Sequence, residues 1–172
     1  MTGLYPHQIV KHLKAGLDGW ARGYRGQVHI AKDAWNALEL LAESPVGFRV
    51  IIHWAGDKNI GNQDGIENLP LVTALLQITL SNNLGLTAKP EQALAENVPG
   101  RQMPILKLLG LARERIFKIS WPESVAESIR YVGCDPVGTP DGVPLAAYVL
   151  TFELDHALPD YDSDAAPETI AD

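Results

Sequence analysis

Apolar positions recur along this chain with two periods, and the switches between them divide it into elements. Ile9, Val10, Leu13, Leu17 and Trp20 fall at helical spacing, and Pro6 suits a first helical position, where its missing N–H would have no partner. The pattern predicts an amphipathic helix over 6–21, weakened by Gly16 and Gly19. Gln27–Ile30 reads as a short strand. Asp33 is placed to cap a second helix over 33–43, whose spaced residues are Trp35, Leu38, Leu41 and Ala42. Ser44-Pro45 ends it, because a residue before proline avoids the helical region. Pro104 opens a third helix with Ile105, Leu108, Leu109, Ala112 and Ile116 as its buried stripe.

The other period is two. In Phe48–Trp54, the residues Phe48, Val50, Ile52 and Trp54 form the core face, and Arg49, Ile51 and His53 the other. Gly56–Asn68 is polar and rich in Gly, Asn and Asp, and reads as a long loop. Leu71–Leu80 alternates again, so the two strands form a hairpin whose connection is far longer than the usual ~2–5 residues. Between Ser81 and Gln102, Pro90 and Pro99 punctuate the chain, with a helical turn over Glu91–Asn97. Ile129–Val132 is a short strand. Asp135-Pro136 and Gly138–Gly142 are turn chemistry. Leu145–Leu154 alternates most clearly of all.

Strands grouped in pairs, rather than in strict alternation with helices, predict an α+β fold. The expected architecture is a small antiparallel (mixed) sheet of about four strands, with helices packed mainly on one face. It occupies a single domain over 1–156, followed by a flexible acidic tail over 157–172.

Composition narrows the function classes. The apolar share of 46% and charged share of 20% are those of a globular chain. No apolar run approaches the ~18 residues of a membrane helix, and the first twenty residues show no signal-peptide pattern. The single cysteine, Cys134, excludes an internal disulfide and a Cys-based zinc module, and fits a reducing compartment. Net charge is −7, and the tail carries five acids, Asp160, Asp162, Asp164, Glu168 and Asp172, with no base. The rest is near neutral and shows no basic stripe of the kind that grips nucleic-acid phosphates.

Candidate chemistry is sparse. No phosphate loop, nucleophile elbow, metal-binding histidine pair or dinucleotide fingerprint is present. Asp57–Asn68 resembles a calcium loop, but Gly61 stands where an oxygen ligand is needed and Asn68 where a bidentate Glu is needed. His53 reads as a strand histidine on the wetter face, Asp155-His156 as a polar strand end, and Cys134 as a structural thiol. On spacing Trp35 reads as core, and Trp54 and Trp121 as core or rim.

The order of these elements resembles one family. A helix pair precedes Ser44-Pro45-Val46-Gly47-Phe48-Arg49-Val50-Ile51. A long polar loop, a second strand, the helix at 104–117 and a Tyr131-Val132-Gly133 strand end follow. The chain closes on Asp141-Gly142-Val143-Pro144-Leu145-Ala146-Ala147-Tyr148-Val149-Leu150-Thr151-Phe152. Over roughly residues 4–156 this is similar to the tail-terminator (tail-completion) proteins of long-tailed bacteriophages.

The resemblance implies a structural virion protein, not an enzyme, with no cofactor and no metal. It implies a homo-hexameric ring that ends tail-tube polymerisation, touching the tail tube protein on one side and a head-side neck protein on the other. DNA would pass through the lumen without sequence-specific binding, and no membrane is involved. The location implied is the tail–neck junction of the virion, and the host cytoplasm during assembly. The long loop, with Asp57, Lys58, Asn59, Asn62 and Asp64, is the candidate assembly interface. Two other readings stay open: another neck or tail component, and a small enzyme or ligand-binding module in which His53, Asp57 and Asp155-His156 converge.

Overall fold

A computed structural model describes residues 4–42, 47–59, 71–83, 95, 103–122, 125–138 and 145–157. The elements run α1 (Pro6–Gly23), β1 (Gly26–Ala31), α2 (Ala34–Ala42), β2 (Gly47–Asn59), β3 (Leu71–Asn83), α3 (Ile105–Phe117), β4 (Val125–Pro136) and β5 (Leu145–Ala157). Five strands form one mixed sheet in the order β1-β2-β3-β5-β4. β1 pairs parallel to β2 through the crossover helix α2, and every other pairing is antiparallel. The α+β class holds. The sheet has five strands rather than about four, because the short segment after α1 joins as an edge strand.

Alternation along the strands sends apolar residues to one face. Val50, Ile52, Leu76, Ile78, Leu80, Leu150, Phe152 and Leu154 are buried there, under Ile9, Leu13 and Leu17 of α1 and Ile105, Leu108, Ala112 and Ile116 of α3. Gly16 lets α1 approach the segment after α3 closely: a Cβ there would lie 2.7 Å from Ile119 Cδ1. Arg115 Nε donates to Gly16 O (3.1 Å), and His12 Nε2 lies 2.7 Å from Ser120 O, which ties α1 to the segment after α3. Gln8 Oε1 accepts from the Tyr5 backbone N–H (2.8 Å) and caps α1.

The opposite face is polar, apart from a small second core. There α2 places Ala37 and Leu41 against Ala31, Ile51 and Ala147. Asp33 caps α2 as predicted, its Oδ1 accepting from Asn36 N–H at 2.7 Å. Of the stripe predicted for α2, Leu41 is buried, whereas Trp35, Leu38 and Ala42 are exposed. Trp35 is 71% exposed and Leu38 47%, so Trp35 is not core. The helix turns the smaller Ala37 inward because Ile51 already fills the sheet side.

Other boundaries move too. β2 runs on through Asp57, Lys58 and Asn59, which were expected in the loop. Asp135-Pro136 ends β4 instead of forming a turn, at a sheet edge where proline's missing donor is tolerated. Asp155-His156 lies within β5, not after it. The turn predicted over Glu91–Asn97 lies, Ala95 apart, outside the described residues, as does the acidic tail beyond Ala157.

Candidate functional site

The candidate interface residues divide. Asp57, Lys58 and Asn59 finish β2 at one end of the sheet, while Asn62 and Asp64 lie outside the described residues. The registers place β3, β4 and β5 residues beside them at that end.

An irregularity in β2 governs what meets there. The register shifts between Trp54 and Gly56, and Gly56 has φ +118°, a backbone conformation that side-chain-bearing residues rarely adopt. Ala55 is the extra residue of this bulge, and it inverts the alternation. Trp54 pairs with Leu76, but Asp57 pairs with Ala74 and Lys58 with Thr73. Asp57 therefore joins Trp54 on the helix-covered face, and Lys58 emerges on the polar face.

On the polar face a charge network crosses four strands. Lys58 Nζ donates to Glu153 Oε1 at 3.1 Å. Arg130 from β4 donates to both carboxylates, with Nη2 2.9 Å from Asp155 Oδ1 and 3.4 Å from Glu153 Oε2, and with Nη1 bonded to Asp155 Oδ2. Thr73 Oγ1 donates to Asp155 Oδ1 at 2.6 Å. The Arg130 hydrogen bonds and Thr73 hold the Asp155 carboxyl below its ordinary value. Lys58, then Arg130, do the same for Glu153. The same contacts push the Arg130 guanidinium higher still. Two cations thus neutralise two carboxylates that stay ionised at neutral pH. This arrangement braces the strand ends; neither carboxyl keeps a proton to donate.

On the other face Trp54 meets His156 edge-on, with ring centroids 6.1 Å apart. Desolvation raises the Asp57 carboxyl above its ordinary value, and the nearby His156 opposes that rise. His53 stands elsewhere, on the polar face, where its Nδ1 lies 3.2 Å from Gln77 Oε1. The four residues of the enzyme reading therefore do not converge. The sheet separates His53 and Asp155 from Asp57 and His156. Cys134 is half-buried, and desolvation raises its thiol, which makes it a poor nucleophile at neutral pH. Among the described residues no group of three His, Cys, Asp or Glu side chains could hold a metal ion. No helix among them is long and apolar enough to cross a membrane.

The network's Arg130 and Glu153 escaped the sequence reading. Both occupy polar positions of alternating strands, which was the available signal. Their pairing depends on β5 lying between β3 and β4, an order the chain sequence does not display.

Large apolar side chains are exposed near both edges of the sheet. Trp35 and Leu38 project from α2 beside β1. Val132 of the edge strand β4 is 54% exposed, and Phe117 of α3, 50% exposed, has its ring 6.0 Å from that of Phe152 in β5.

The chain matches no model of a known protein family, and no curated protein matches it.

Proposed function

We infer that this chain is a structural virion protein that forms a ring at the head-proximal end of a phage tail tube, ends tube growth and offers a surface for head joining. The observation that carries this reading is the exposure of large apolar side chains near both edges of the sheet, Trp35 and Leu38 of α2 on the β1 side and Val132 on the β4 side. A cyclic ring needs such heterologous contacts, in which one surface meets a different surface on the next subunit. Contiguous exposed apolar surface rimmed by polar residues marks protein contacts, and Trp35 and Leu38, one helical turn apart on α2, form such a pair.

The braced sheet end supports the same reading. Lys58, Glu153, Asp155 and Arg130 hold the strand ends from which residues 60–70 depart. A connection anchored this way can present its polar residues, Asn62 and Asp64 included, to a neighbouring ring. The neutralised carboxylates and the separated histidines favour assembly over catalysis.

Purified chain added to polymerising tail tubes tests the reading. Tubes should stop elongating at sub-stoichiometric amounts of chain relative to tube subunits. Tube lengths that do not respond to the chain would contradict it.

A further inference from the structure

β1 is a sheet edge, and between it and α1 runs an open cleft of about 360 Å³. Its walls are Lys14, Asp18 and Arg22 from α1 and Gly26, Gln27, Val28 and His29 from β1. Lys11, Lys14, Asp18 and Arg22 share one helical face. Lys14 is paired with Asp18 at 2.9 Å, whereas Arg22 and the adjoining Arg25 make no ion pair among the described residues. Arg25 adopts φ +58°, a left-handed conformation that is unfavourable for a non-glycine residue. Strain of this kind gathers at ligand clamps and switches. The cleft also holds His29, whose Nε2 has no hydrogen-bond partner among the described residues. In a chain of net charge −7 this edge is locally basic.

The chain itself carries a segment of matching chemistry. In Asp160-Tyr161-Asp162-Ser163-Asp164-Ala165-Ala166 the acids recur at every second residue, so an extended backbone sends all three to one side. Pro159 and Pro167 bracket this stretch, and no proline interrupts it. It is as long as β1 needs, since β1 has six residues.

We propose that the α1–β1 cleft receives residues 160–166 of a second copy of this chain as an added edge strand, with Asp160, Asp162 and Asp164 directed at Arg22 and Arg25. Main-chain pairing to β1 supplies the affinity, and the alternate acids supply the register. Reach favours a second copy. Ala157 ends β5 eight residues beyond Val149, which is level with Thr79, Ile51 and His29. The cleft of the same subunit is then roughly 26 Å away along the strands and roughly 14 Å across them. Only residues 158 and 159 separate Ala157 from Asp160, a full extension of roughly 10 Å, which cannot span that distance. The proposal needs only two copies, so it stands or falls apart from the tail-terminator reading.

The test uses full-length chain whose own Asp160, Asp162, Asp164, Glu168 and Asp172 are changed to Asn or Gln. A fluorescent peptide of residues 158–172 is titrated into it, and anisotropy is read. Saturable binding that weakens as salt rises is expected. Arg22→Gln with Arg25→Asn, which keeps a residue tolerant of the left-handed conformation, should weaken binding at least tenfold. Lys118→Gln, beyond α3, should leave it unchanged. A peptide carrying Ser163→Pro, equal in charge but short of a backbone donor, should also lose at least tenfold. Absence of saturable binding, or indifference to the Arg22/Arg25 pair or to the proline, would overturn the proposal. Copy identity is read by disulfide trapping in a Cys134→Ser background. Chains with Gln27→Cys mixed with chains with Ser163→Cys should cross-link between copies. Closure only within a doubly substituted chain would overturn the second-copy assignment.

Discussion

Lys58 and Glu153 bridge from β2 to β5 at 3.1 Å, although β3 lies between the two strands. They reach each other because Ala55 is bulged out and Gly56 carries the turn at φ +118°. Without the bulge, Lys58 would follow Trp54 onto the helix-covered face. Gly56→Val should therefore lower stability by about 1–3 kcal/mol, since valine resists that conformation. Urea unfolding at neutral pH measures the loss, and a crystal structure of the variant would show the Lys58 bridge broken.

Arg130 organises the acid side of the network, and its effect depends on pH with a defined sign. The folded-state carboxyls of Asp155 and Glu153 lie below their ordinary values of 3.8 and 4.5. Their contribution is thus fully present above those values and is lost as pH falls through the lower, folded ones. Arg130→Met should cost about 0.5–1 kcal/mol at pH 7, the size expected of partly exposed pairs. It should also flatten the fall in stability between pH 5 and pH 2, and matter less in 1 M salt. Thermal unfolding across pH and salt checks all three effects.

Gly16 and Ile119 occupy the same space. Gly16→Val should destabilise the protein by about 1–3 kcal/mol through overpacking, despite removing a helix glycine. In an Ile119→Ala background the same change should cost markedly less, because the clash is gone. Additive effects in a double-mutant cycle would contradict this packing.

Trp35 separates folding from assembly. It is 71% exposed, so Trp35→Ala should alter chain stability by no more than about 0.5 kcal/mol. If α2 lies at a ring contact, the same change should weaken self-association by about 2 kcal/mol or more, as buried aromatic anchors do. Unfolding curves and sedimentation of the same samples separate the two effects.

Much of the fold was legible because burial is periodic. Ile9, Leu13 and Leu17 in α1, Leu108 and Ile116 in α3, and Leu150, Phe152 and Leu154 in β5 are buried as their spacing predicts. What escaped depends on long-range order. Gln27–Ile30 reads as a strand and is one, but its place at the sheet edge rests on parallel pairing to β2, which local spacing does not display. Trp35 looked like core because apolar character was read without knowing that Ala37 and Leu41 already cover Ile51. Asp57 and Lys58 exchange faces through one bulged residue, which a period-two reading carries straight through. The candidate site was legible only in part. Asp57–Asn59, expected in the loop, finish β2 instead, and Arg130 and Glu153 become their neighbours only through the insertion of β5 beside β3.

Electron microscopy of particles assembled with this gene silenced tests the central claim most directly. The account predicts tail tubes of uncontrolled, excessive length with no heads attached. Tails of normal length lying beside filled, unjoined heads would contradict it.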